Sequence, residues 1–241
     1  FDGSHYFQDF WEYVPADGLY GGTWIPRAVF GGGVRYAAVG FPIGNKGYVG
    51  TGINDSFNVF DDFWEYEPYN DADGSGDTWT LRAPFEGGAR YYAVGFSIGN
   101  KGYFGTGFIT LFEEPIEFGD FWEYVPFNDG SGNIWTRKAD FGGAARDSVV
   151  GFSIGEKGYI GTGFNGESNY KDFWEYADGE SGSGWTKKTD LPGVVKNDIN
   201  ADGITDIIIR NSSGKVVVYF LNKTGAIAGS KSVFTNADYD V

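Results

Sequence analysis

Cysteine is absent from this chain, which excludes disulfides, thiolate catalysis and Cys-ligated metal sites and leaves the redox compartment open. Histidine occurs once, at His5, so neither a zinc triad nor a Ser-His-Asp set can be assembled. Positive charge is sparse. Eighteen Lys and Arg stand against 33 Asp and Glu, for a formal net charge of -15, and the basic residues do not cluster. A phosphate-binding surface needs clustered cations, so nucleic acid and anionic membranes are poor partners. No apolar run is long enough to span a bilayer, which argues against membrane insertion. No segment sustains helical periodicity, and no signal peptide is visible.

What is present is glycine and aromatic side chains. There are 40 Gly and 8 Pro, and 19% of the 241 residues are aromatic. This mixture suits short strands joined by tight turns, with rings as the main apolar filling. Disordered segments lack such rings. The acidic balance keeps a chain soluble and equips Asp-rich loops for divalent cations.

The pentad DFWEY occurs four times, from Asp9, Asp62, Asp120 and Asp172, at spacings of 53 (62 − 9), 58 (120 − 62) and 52 (172 − 120). Trp24, Trp79, Trp135 and Trp185 follow in phase, each after a Gly/Asp-rich loop. Arg35, Arg90 and Arg146 each follow a Gly- or Ala-rich turn; then come VGF, at Val39, Val94 and Val150, and KGYVGTG, KGYFGTG or KGYIGTG. A full unit thus holds four strand-length apolar runs, and the turns in PIGNKGY, SIGNKGY and SIGEKGY are hairpin signals. Four antiparallel strands at this period predict an all-β chain of β-propeller blades.

The unit resembles the kelch repeat, in a form seen in bacterial surface and secreted proteins. Tyr13, Tyr66, Tyr124 and Tyr176 match the tyrosine of that repeat, and the four Trp match its tryptophan. The glycine doublet departs slightly, reading Gly-Thr-Gly at 50–52, 105–107 and 161–163. The resemblance covers residues 1 to about 190 and implies half a blade followed by three blades. Kelch propellers have six or seven blades, so the chain reads as truncated at both ends. A four-bladed ring closed through the C-terminal segment is the alternative. Copper radical oxidases of this type need Cys and His ligands that are missing here.

Strand alternation places Phe10 and Glu12 on one face of the pentad and Asp9, Trp11 and Tyr13 on the other. A buried Glu needs a partner. The expected pairing joins Glu12, Glu65, Glu123 and Glu175 with Arg35, Arg90 and Arg146, one Arg per unit, in bidentate bonds. Asp9 and its equivalents are expected to accept loop N–H bonds. Gly40, Gly95 and Gly151 are expected to keep the first strands slim where they crowd together. Repetition speaks against a catalytic carboxylate pair in DFWEY, because a catalytic site is single. No residue set that breaks the repeat stands out, so the chain reads as non-enzymatic.

After Asp190 the pattern changes. Asp198, Asn200, Asp202 and Asp206 place oxygen side chains at positions one, three, five and nine of a loop, with Gly203 at six and Ile204 offering its carbonyl at seven. This is a calcium-loop spacing, without the bidentate Glu at twelve. With the strands that follow, residues 191–241 resemble an FG-GAP/VCBS-type repeat, which implies Ca²⁺ as the ion. The acidic loop at 70–77 is expected to be an ordinary turn.

The segment Phe108–Gly119 is the longest and most apolar of the loops between second and third strands. Phe108, Ile109, Leu111, Phe112, Ile116 and Phe118 make it the candidate interaction loop. The resulting expectation is an extracellular or cell-surface binding and adhesion scaffold, bacterial in style, with a protein or glycan partner. Two alternatives stand beside it: a lectin-like propeller using Tyr20, Tyr69 or Phe127, and a self-associating subunit of a surface filament or layer. Sequons at Asn54, Asn211 and Asn222 matter only in a eukaryotic secretory pathway.

Overall fold

The computed structural model describes residues 7–16, 21–112, 114–126, 134–179 and 184–191, together with the backbone of strands 207–210, 216–221 and 227–234. The chain divides into two compact units, Phe1–Thr189 and Asp190–Val241. Among the described residues every regular element is a β-strand.

The first unit opens with an antiparallel pair, β1 (Phe10–Pro15) and β2 (Gly22–Arg27). Three four-stranded antiparallel sheets follow. The first runs β3 (Val39–Ile43), β4 (Lys46–Gly50), β5 (Phe63–Glu67) and β6 (Thr78–Arg82), in chain order across the sheet. The second holds β7 (Val94–Ile98) and β8 (Lys101–Gly105). A separate hairpin, β9 (Phe108–Leu111) and β10 (Glu114–Glu117), precedes its remaining strands, β11 (Phe121–Val125) and β12 (Ile134–Arg137). The third runs β13 (Val150–Ile154), β14 (Lys157–Gly161), β15 (Phe173–Ala177) and β16 (Gly184–Lys187). The second unit contains one three-stranded antiparallel sheet, β17 (Ile207–Arg210), β18 (Val216–Leu221) and β19 (Ile227–Phe234).

The first two strands of each sheet are joined by two-residue turns. Ile43 pairs with Lys46, Ile98 with Lys101 and Ile154 with Lys157. Gly44, Gly99 and Gly155 have φ of 61°, 58° and 57°, while the residue after each is not left-handed. That is a type II′ turn, whose twist matches the flanking strands.

The core lies between sheets. Alternation on β3 turns Val39, Phe41 and Ile43 toward the second sheet, where they meet Phe104, Tyr124 and Trp135 along with Tyr48, Phe63 and Phe85. Val94, Phe96 and Ile98 do the same toward the third sheet, with Tyr103, Phe121, Phe141, Ile160 and Tyr176. Rings carry the specificity of these layers. Phe63 meets Tyr124 edge-on at 4.8 Å and Trp135 at 4.9 Å, and one sheet later Phe121 meets Tyr176 at 4.9 Å and Trp185 at 4.8 Å. A Cβ on Gly95 would strike Phe41 and Val39, and one on Gly151 would strike Val94. Those two glycines let adjacent sheets close together. At Gly40 a Cβ would meet only the Tyr48 carbonyl and Val49 of its own sheet, at ordinary contact distance, so this glycine is not needed for close packing among the described residues. The corresponding face of the third sheet is bare, with Val150, Phe152 and Ile154 exposed by 59%, 39% and 64%.

The expected Glu–Arg pairing is corrected. The guanidinium of each unit binds the Asp of the pentad instead. Arg90 Nη1 and Nη2 donate to Asp120 at 2.5 and 3.0 Å, and Arg146 to Asp172 at 2.6 and 3.0 Å. Arg35 holds Asp62 at 2.5 and 2.9 Å. Trp64, Trp122 and Trp174 donate to the same carboxylates at 2.7, 2.7 and 2.8 Å. These Asp therefore accept side-chain rather than loop N–H bonds. Glu65, Glu123 and Glu175 sit mid-strand, beyond the Arg, and accept from cross-strand neighbours. Glu65 takes Lys46, Tyr48 and Arg82; Glu123 takes Lys101, Tyr103 and Lys138; Glu175 takes Lys157, Tyr159 and Lys188. Glu12 pairs with Arg27. Register explains the choice, since Tyr48 lies directly opposite Glu65 and Tyr103 opposite Glu123.

Candidate functional site

The side chains fixed by the repeat are consumed by the fold. Each guanidinium is stacked as well as paired: Arg90 lies 3.8 Å over Phe118 and 4.8 Å from Phe85, and Arg146 lies 3.7 Å over Tyr170. Both arginines are fully buried. The acidic 70–77 loop closes on itself as a turn. Asn70 and Asp73 accept the N–H groups of Ala72 and Ser75, while Asp77 accepts Tyr66 Oη and the N–H of Ala28.

A site must therefore be sought where the units differ. After each Gly-Thr-Gly turn the chain forms a bridge with the residue that follows the repeat Arg. Ile53 pairs with Tyr36, Phe108 with Tyr91, and Phe164 with Asp147. The turn itself is left-handed, with φ of 58° at Thr106 and 100° at Gly107, and a side chain on Gly107 would meet Ala93 and the carbonyl of Tyr91. On the far side, Val59, Glu117 and Asn169 lie opposite Ile53, Phe108 and Phe164. Two equivalent clefts result.

The cleft between the first and second sheets, of about 300 Å³, is lined by Ile53, Phe57, Val59, Tyr91 and Thr110. The cleft between the second and third, of about 350 Å³, is lined by Tyr91, Tyr92, Phe108, Pro115, Glu117, Asp147, Phe164 and Gly166. In it, Glu117 replaces Val59 and Asp147 replaces Tyr91. Tyr91 meets Phe108 edge-on at 5.2 Å and Tyr92 at 5.4 Å. Asp147 is 8% exposed, and its Oδ2 accepts Ser148 Oγ at 2.7 Å. Glu117 Oε2 is enclosed and has no hydrogen-bond partner. Burial, and then the charge of Asp147, push the Glu117 carboxyl up to about 7. Among the described residues neither carboxylate has an ion-pair partner, although the other buried carboxylates of the sheets are paired.

The candidate interaction loop is divided by the structure. Phe108 lines the cleft, Ile109 is buried, and Phe118 lies beneath Arg90. Leu111, Phe112 and Ile116 are exposed, with Phe112 at the hairpin tip 97% exposed and left-handed at φ 51°. Phe57, on the preceding loop, is 79% exposed at φ 61°. Tyr69 is exposed, with Arg27 5.1 Å from its ring. Tyr20, Phe127 and the loop residues Asp198, Asn200, Asp202, Ile204 and Asp206 lie outside the described residues. Within the described part, no group of three His, Cys, Asp or Glu is placed to hold a metal.

Glu117 and Asp147 were missed in the sequence. The signal was available as a departure from the repeat: Arg-Tyr at 35–36 and 90–91 becomes Arg-Asp at 146–147, and Val59 becomes Glu117.

No family model matches the chain, and no curated protein matches it. Among solved structures, that of YjhT aligns with a TM-score of 0.61 at 15% identity, covering 88% of this chain. The chain spans 65% of the length of that protein. At this identity the likeness is one of fold alone.

Proposed function

We propose that the chain is a kelch-type β-propeller segment acting as a non-enzymatic recognition scaffold at the cell surface, carrying a calcium-stabilised repeat at residues 191–241. The propeller reading is supported by the sheets of four sequential antiparallel strands, by the aromatic layers between them, and by the bare Val150–Phe152–Ile154 face that a further blade would cover. The oxygen spacing of Asp198, Asn200, Asp202 and Asp206 suits Ca²⁺, a hard cation that takes oxygen ligands.

The observation that carries the recognition reading is Phe112, almost fully exposed in a left-handed backbone at the tip of the longest loop hairpin. A bulky residue in that conformation is disfavoured and is retained where another partner uses it. Binding of the parent and of Phe112→Ser to glycan arrays and to cell-surface protein preparations tests it. Binding by the parent that falls sharply in the variant supports the reading. Equal binding by both removes this face from consideration, and a glycan hit that depends on Tyr69 instead favours the lectin alternative.

A further inference from the structure

Burying a carboxylate without a counter-cation is costly, and this fold avoids it repeatedly. Asp62, Asp120 and Asp172 each hold an Arg, and Glu65, Glu123 and Glu175 each hold lysines or an arginine. Glu117 and Asp147 break the pattern. They line one cleft, Asp147 is buried, Glu117 is half-buried with its Oε2 enclosed and unpartnered, and no Lys or Arg is among the lining residues. The neighbouring cleft has the same backbone frame with Val59 and Tyr91 in their places, so the charge is not a requirement of the fold.

We propose that the cleft formed by Tyr91, Tyr92, Phe108, Glu117, Asp147 and Phe164 binds an organic ammonium group, with the two carboxylates as its counter-charge and the rings around its apolar body. The walls decide the class of cation. Ring faces attract ammonium groups through their quadrupole, most strongly when water is excluded. Calcium takes six to eight oxygen ligands, and two carboxylates between rings do not supply them. A neutral sugar would stack on the rings but leave the charge of the pair uncompensated. The volume of about 350 Å³ admits a small alkylamine or the end of a lysine side chain. The assignment rests on the recognition reading above, and names the chemistry of one ligand that this face accepts.

The test titrates the full chain at pH 8, where both carboxyl groups are ionised, with n-butylammonium chloride, n-butanol, methyl glucoside and CaCl₂, following resonances by NMR, for the parent, Glu117→Gln and Asp147→Asn. The expected result is saturable butylammonium binding that perturbs Tyr91, Tyr92 and Phe108 and weakens about tenfold or more in either variant, with no saturable binding of butanol. Butanol binding as well as butylammonium, or butylammonium binding unchanged in both variants, overturns the proposal. So does saturation of the cleft by Ca²⁺ or by the glucoside in preference to the amine. If one variant does not fold, the other variant and the mapped resonances of the parent decide. Failure here with Phe112-dependent partner binding intact leaves the recognition reading standing. Amine binding with no Phe112-dependent partner has the opposite meaning.

Discussion

The two clefts beside Tyr91 share a backbone and differ in chemistry. In one, Ile53, Val59 and Tyr91 make an apolar recess; in the other, Phe108, Glu117 and Asp147 occupy the same three places and make an acidic one. What stays constant is the frame: the Gly-Thr-Gly turn, the buried guanidinium bound to the pentad Asp, and the bridge after it. What varies is the pair of side chains that the frame presents. A repeat can therefore be read twice, once for what it keeps and once for where it departs, and the departures carry the chemistry.

The largest effect should come from breaking the frame. Arg146 is fully buried, makes a bidentate bond to Asp172, donates to the carbonyl of Thr162 at 3.0 Å and is followed by Asp147 of the acidic cleft. Arg146→Ala leaves Asp172 buried without its cation and should cost about 3–5 kcal/mol in urea denaturation. Arg146→Lys should recover little, because an ammonium cannot span both carboxylate oxygens. A loss below about 1 kcal/mol would mean that the frame does not depend on this pair.

Calcium offers a second way to sharpen the comparison, because it separates the acidic cleft from the Asp198–Asp206 loop. Saturating Ca²⁺ at about a hundredfold over its Kd should stabilise the full chain by about 2.7 kcal/mol, and Asp202→Ala should abolish the effect in thermal unfolding with and without EDTA. If the stabilisation survives Asp202→Ala and disappears in Glu117→Gln, the cleft is a metal site and the ammonium assignment falls.

Much of the frame was legible from period alone. The strands, their pairing within a sheet and the packing role of Gly95 and Gly151 follow from alternation and turn chemistry. The partner of the repeat Arg did not follow, because Asp and Glu are three residues apart in DFWEY and only the register decides which one the guanidinium reaches. Lys46, Lys101 and Lys157 each open the second strand of a sheet. Their reach onto Glu65, Glu123 and Glu175 depends on cross-strand geometry that the one-dimensional pattern does not contain. The acidic cleft was hidden for the opposite reason: attention to what repeats passes over Asp147 and Glu117, which do not.

A smaller effect tests the cost of the acidic cleft. Glu117 keeps its proton up to about pH 7 in the folded chain, above the ordinary glutamate range, owing to burial and to Asp147. Asp147 and the hydroxyls of Tyr91 and Tyr92 are the titratable groups that share the cleft. A raised carboxyl means that the folded state holds the proton more tightly, so stability falls as pH rises between about 4.5 and 7 and stays lower beyond. Glu117→Gln should therefore be more stable than the parent by about 1 kcal/mol at pH 8, after allowance for partial exposure, and equal to it at pH 4. The apolar cleft is the control, since Val59→Leu should give no pH-dependent difference. An equal gain for Glu117→Gln at both pH values would show that packing, rather than charge, sets the change.

The smallest expected effect on stability belongs to Phe112. Its ring is outside the packed layers, so Phe112→Ser should change stability by less than about 0.5 kcal/mol, and Phe112→Gly should raise it slightly by relieving the left-handed backbone. Phe57, in the same strained region beside the apolar cleft, should behave alike. Partner binding should separate the two. If recognition runs through the acidic cleft and the hairpin that carries Glu117, losing Phe112 at the tip of that hairpin should weaken binding while losing Phe57 should not. Equal losses would place the partner across both loops and make the acidic cleft one contact among several. A large fall in stability at Phe112 would instead assign its ring to packing and remove the reason for reading it as a contact residue.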